Sequence, residues 1–295
     1  MQTYGRPNSS KQYLDTNMAL EQSNDVPFRP ARLLPALLAL LTLSALTRPA
    51  AGEPMPAAVS TFNGYIAALE SRLVHQHSAG SVFLAPAGTE ARLRQGEFII
   101  DKLTPADTVT FSGAMLHHWR GTAFVPGAKA SDFERLMEDF NAYPRVFAPE
   151  VVQAKLLGHQ DDHDVAHFQA LMRVRQKHVL TVVMDTTYEV AFAQLDPRHR
   201  YSLSRSTNIA EIDAPGTPNE HPLGPGEDHG FLWRLNSYWS CEERDGGLYM
   251  QVESVSLTRS IPVGLAWAVG PFVESVPRES LEFTLRSTAN ALRKP

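Results

Sequence analysis

Cys241 is the one cysteine among 295 residues. A single thiol excludes an internal disulfide and any cysteine-built zinc site, so the folded state rests on its apolar core. Long basic runs are missing, and with them the electrostatic footprint of a nucleic-acid binder. There is no long acidic tail either, and the net charge of −5 with 20% charged residues is ordinary. The G-x-S-x-G elbow and the H-E-x-x-H zinc pattern do not occur. "GPGEDHG" (224–230) is glycine-rich but lacks the strand-to-helix setting of a phosphate loop. The longest apolar run, "LLPALLALLTLSAL" (33–46), carries Pro35 and falls short of the roughly 20 residues that cross a bilayer.

That run has another use. Arg29 and Arg32 precede it, and the small residues Ala50, Ala51 and Gly52 follow it. A positive flank, a short apolar core and a small-residue exit predict a secretory leader over residues 1–52, cleaved after Gly52 or Ala51. The expected destination is the periplasm or the extracellular space, with translation starting at Met1 or Met18.

With 43% hydrophobic residues the remainder holds enough apolar material for one large domain with an extension. Residues 53–110 read as that extension. Phe62, Tyr65, Ile66, Leu69 and Leu73 form one helical stripe, and "EFIIDKLTPAD" offers at most a short strand. From residue 111 the period changes to two. "SGAMLHHWRGTAFVPG" supplies a strand ending at Pro126-Gly127. A helix over 129–140 follows, with Ser131 as N-cap and Glu134 at capping-box spacing. Tyr143-Pro144 and Ala148-Pro149 then break the helix twice, since a proline pushes its predecessor out of the helical region.

Strands follow over 150–160, 165–175, 179–194 and 201–212, then a turn-rich loop over 214–230. "FLWRLNSYWSCEE" and "LYMQVESVSLTR" flank the hairpin signal "RDGG". The last element is a helix from Pro277, with Leu281, Leu285, Thr288, Ala289 and Leu292 as its apolar stripe. Long strands accumulate twist and curl. A curled sheet with one apolar face needs a plug, which the final helix supplies, while the broken helix closes one end.

The order, with "VPGAKASDFERLMEDFNAYPRVFAPEVVQAKLL" and "SIPVGLAWAVGPFVESVPRESLEFTLRSTANAL", resembles the START-like or Bet v 1-like helix-grip superfamily. That superfamily includes polyketide-cyclase-type and coenzyme-Q-binding domains. The resemblance spans residues 111–295. It implies an α+β fold in which a curved antiparallel sheet wraps a long C-terminal helix, two short helices follow the first strand, and a ligand cavity lies between sheet and helix.

The residues suited to such a cavity wall are aromatic or soft: Phe168, Met172, Met184, Tyr188, Trp233, Trp239, Met250 and Trp267. Plain core packing explains each of them singly. The charged set of Arg173, Asp185, Glu189, Arg234, Glu253 and Arg259, with Tyr238, is expected on the convex, solvated face. "HQDDHDVAH" (159–167) is rich in potential metal ligands, yet His163 and His167 would lie about 13 Å apart along a strand. A polar hairpin tip accounts for the same letters, and His117 and His118 would point to opposite faces.

The expectation is therefore an exported protein that binds a hydrophobic small molecule, such as a lipid, isoprenoid or polyketide-like compound, with no cofactor, metal or nucleic acid. A cyclase or dehydratase using polar groups in the same cavity is the alternative, and an interaction role for the 53–110 extension is a third. "IPVGLAWAVGPFV" (261–273) reads as a gate loop that touches a membrane during ligand transfer.

Overall fold

The structure is a computed structural model. It describes residues 52–293 apart from 85–87, 107–109, 164, 178–180, 225 and 262–265, and leaves out the side chains of 266–272 and 274. The predicted leader, residues 1–52, lies outside the described residues except for Gly52.

Ten strands form one antiparallel sheet. They are β1 (Ile99–Lys102), β2 (Thr110–Phe111), β3 (Ala114–Pro126), β4 (Val151–Asp162), β5 (Val165–Lys177), β6 (Thr181–Asp196), β7 (His199–Asp213), β8 (His221–Pro222), β9 (Arg234–Arg244) and β10 (Gly247–Arg259). The spatial order is β1-β3-β10-β9-β7-β6-β5-β4, with β2 on β3 and β8 on β7. Strands of 16 and 15 residues at β6 and β7 accumulate twist. Register shifts in the β4–β5 and β6–β7 ladders add local bends.

Five α-helices accompany the sheet among the described residues: α1 (Pro56–Gln76), α2 (Glu90–Arg94), α3 (Ala130–Glu138), α4 (Tyr143–Val146) and α5 (Ala266–Leu292). The predicted stripe of α5 is buried throughout, and Leu281, Leu285, Ala289 and Leu292 join one core with Ala123, Val125, Trp239, Met250 and Val252. Each such leucine contributes about 2 kcal/mol by leaving water. Gly121 lets the helix approach β3 closely, because a Cβ there would stand 2.8 Å from Leu281 Cδ2 and 3.0 Å from Leu285 Cδ2.

Three expectations need correction. Helix α5 begins at Ala266, so Pro277 lies in its interior and half of the supposed gate loop is helical. A proline removes only its own N–H donor, which leaves the rest of a long ladder intact. Ser131 is not the N-cap of α3. The helix starts one residue earlier, its Asp132 carboxylate accepts from Lys129 N–H at 3.3 Å, and Glu243 of β9 accepts from Ala130 N–H at 3.1 Å. A tertiary carboxylate thus completes a cap that local spacing assigned elsewhere.

The third correction concerns the convex face, which is not solvated over β3, β10, β9 and β7. Helix α1 lies on it, packing Phe62, Ile66, Leu69 and Leu73 against Leu116, Tyr238, Val255 and Leu257. His118 and Glu253 are buried beneath the helix, with half-buried Tyr65 and exposed Arg72 reaching them from α1. Tyr65 donates its hydroxyl proton to His118 Nδ1 at 2.7 Å, His118 Nε2 donates to Glu253 at 3.0 Å, and Arg72 pairs with the same carboxylate at 2.5 Å. Glu253 is only 2% exposed.

Candidate ligand-binding site

Residues directly opposite in an antiparallel ladder share a face. Following the pairs across the sheet on the side of α5 gives the row Trp119–Ser254–Ser237–Ser204–Val190–Phe168–His159. One row toward the closed end come Gly121, Val252, Trp239, Ser202 and Phe192. These are buried, and Phe133 of α3 packs its ring on Trp239 at 5.3 Å. The serine row differs: Ser204, Ser237 and Ser254 are half-buried at the centre of a concave face. Three small side chains stand here on adjacent strands where the neighbouring row carries Val252, Trp239 and Phe192.

The next row runs His117–Ser256–Leu235 on three strands and continues through Tyr188 and Ala170 to Leu156 at the β4 edge. Leu156 is 41% exposed, so this side of the concavity opens to solvent. His117 is buried and shares a hydrogen bond of 3.1 Å with Thr258 Oγ1. Burial, with Lys102 adding to it, holds its imidazole down at about 4, so it is neutral at pH 7. Burial also pushes the Tyr188 phenol up. On the same face Trp119 Nε1 is buried without a hydrogen-bond partner among the described residues. A buried polar group left unpaired costs about 1–3 kcal/mol. Neutral hydroxyls, one imidazole, one indole N–H and apolar flanks therefore share one face of the sheet.

The wall residues expected from sequence divide. Phe168, Tyr188, Trp239 and Met250 meet in one cluster with Met172 packed against it, and Met184 is buried on the same face. Trp233 does not belong there. It packs in the cluster with α1 and donates its indole proton to the Gly52 carbonyl at 2.7 Å, because it precedes β9 and escapes the strand alternation. The side chain of Trp267 lies outside the described residues. Arg173 and Asp185 form a bidentate pair at 2.7 and 2.8 Å on the outer face, extended to Glu220 at 2.5 Å. At the β4–β5 tip His159 pairs with Asp161 and His163 with Asp162, both exposed.

Bulk does not mark these serines. Their signal was present: "SLSRS" sets Ser202, Ser204 and Ser206 at period two, and "SVS" does so with Ser254 and Ser256. A curved antiparallel sheet holding one long C-terminal helix, with short helices after β3, is the helix-grip arrangement. The chain has the helix-grip fold.

No protein-family model matches the chain, and no curated protein matches it. Solved structures do. A STAR-related lipid transfer protein fragment from Xanthomonas axonopodis is 17% identical, with a TM-score of 0.42, over 66% of this chain and 99% of that one. A START superfamily protein from Mycobacterium smegmatis is 16% identical, with a TM-score of 0.39, over 59% and 96%. Human STARD10 is 8% identical, with a TM-score of 0.39, over 70% and 80%.

Proposed function

We propose that this helix-grip chain binds an amphipathic small molecule, with an apolar body and oxygen functions, between the concave sheet face and α5. The supporting observation is the half-buried row of Ser204, Ser237 and Ser254, bounded by buried large side chains on its closed side. Apolar ligand surface gains about 25 cal/mol per Å² on leaving water, and the hydroxyls fix orientation. Trp119 Nε1 is a donor that a ligand oxygen would satisfy. Binding rather than conversion is favoured because the inward imidazole of His117 is tied to Thr258. Purified protein analysed by native mass spectrometry and by solvent extraction tests this. A stoichiometric extractable ligand is expected. Bare protein that also fails to take up any apolar compound saturably overturns the reading.

Export is part of the proposal, with one refinement. Gly52 N–H donates to the Gly226 carbonyl at 3.3 Å, its own carbonyl receives Trp233 Nε1, and a Cβ there would stand 2.8 Å from the Gly226 carbonyl carbon. Gly52 thus belongs to the folded unit, which favours cleavage after Ala51 over cleavage after Gly52. The intact mass of the exported protein tests it. A chain beginning at Gly52 is expected, and a chain beginning at Glu53 contradicts the refinement.

A further inference from the structure

A second concavity lies on the opposite side of the sheet, between α1 and the strands β7 and β9. Its volume is about 300 Å³, and its lining includes Ser206 of β7 but none of Ser204, Ser237 and Ser254. Phe62 and Ile66 form its apolar floor, and both are buried. The polar rim includes Glu70, Arg205 and Arg234. Two of these charges cancel. Arg205 grips Glu70 through Nε at 2.9 Å and a terminal nitrogen at 2.6 Å, and Tyr238 donates to the same carboxylate at 2.9 Å.

Arg234 is different. Its terminal nitrogen donates to the Trp233 carbonyl at 2.7 Å, which anchors the guanidinium. Among the described residues no carboxylate pairs with it, and a guanidinium carries five donors. The lining therefore keeps one uncompensated positive charge beside an apolar floor. We propose that this groove is a ligand site for a small apolar monoanion, an aromatic or short aliphatic carboxylate, with Arg234 as its counter-charge. Volume and charge both select that class. The groove is about twice the ~150 Å³ void that takes up benzene, which suits one or two rings. A planar guanidinium matches a carboxylate fork. A neutral ligand would leave Arg234 uncompensated, and a dianion would exceed its single charge.

The test uses 2-naphthoate and 2-naphthol as probes, measured by isothermal titration calorimetry on the full folded chain. Two variants accompany it: Arg234→Gln, and Ala67→Trp to plug the groove from an exposed position of α1. The naphthoate is expected to bind about tenfold more tightly than the naphthol, a difference of about 1.4 kcal/mol. That preference is the readout, because the neutral hydroxyls of the concave face do not select a charged probe over its neutral analogue. R234Q and A67W should each erase the preference in a chain that stays folded. A preference that survives in either variant overturns the assignment. So does a wild-type chain that fails to distinguish the two probes.

Discussion

His117 and His118 are consecutive residues of β3 that point to opposite sides of the sheet. His117 meets Thr258 at 3.1 Å on the concave face, and His118 meets Glu253 at 3.0 Å beneath α1. One imidazole borders the proposed ligand space, and the other locks the N-terminal helix to the back of the sheet.

The lock is sensitive to losing one partner. Glu253 is 2% exposed and its Oε1 has no hydrogen-bond partner, so His118 and Arg72 carry its compensation. His118→Ala should cost about 3–5 kcal/mol in urea unfolding, because the carboxylate stays buried. Replacing His118 and Glu253 together by leucine should restore much of that loss. A loss below about 1 kcal/mol for the single variant contradicts the lock. Burial works to raise the Glu253 carboxyl, and the His118 hydrogen bond and Arg72 charge outweigh it, leaving it below the ordinary carboxylate value. Its contribution is therefore complete above the unfolded value of about 4.3 and disappears as pH falls through the folded value.

The concave histidine sets a different pH window. His117 is held at about 4 when folded, against about 6.5 when unfolded. Between those values the unfolded chain binds more protons, so stability rises with pH and is lost on acidification. His77, also held at about 4 by burial and Arg72, acts with the same sign. Stability measured by denaturant at pH 7 and pH 4 should differ by up to about 3 kcal/mol on account of His117. His117→Gln should shrink the difference, and an unchanged pH dependence contradicts the assignment.

Gly121 tests the grip itself. Any Cβ there approaches Leu281, Leu285 and Ile100, at 2.8, 3.0 and 3.1 Å. Gly121→Val should destabilise by about 1–3 kcal/mol through overpacking, seen as a lower thermal midpoint. A midpoint equal to that of the wild type means α5 does not rest on β3.

The sheet was legible because its period-two alternation runs through strands of 11–16 residues, β3 to β7 with β9 and β10. The stripe of α5 was legible for the same kind of reason, at helical spacing. The start of α5 was not, since Pro271 and Pro277 are local stop signals while helix continuation is decided by the rest of the ladder. The burial of the convex face was also hidden. Period two places Glu253 and Tyr238 on that face, but no local pattern says that α1 comes back to cover them. Bulk marks Phe168, Tyr188, Trp239 and Met250, which the fold gathers into one core cluster, whereas the serines between them carry no bulk to mark them.

The central claim is that the room in front of Ser204 and Ser237 receives a ligand. Its most direct measurement is fluorescence titration of the neutral apolar dye Nile red into the wild-type chain and the Ser204→Leu/Ser237→Leu variant, with thermal unfolding in parallel. The account predicts saturable binding to the wild type and at least about tenfold weaker binding to the variant (roughly 1.4 kcal/mol), with no fall in its unfolding midpoint. Equal dye affinity in the two proteins would contradict it.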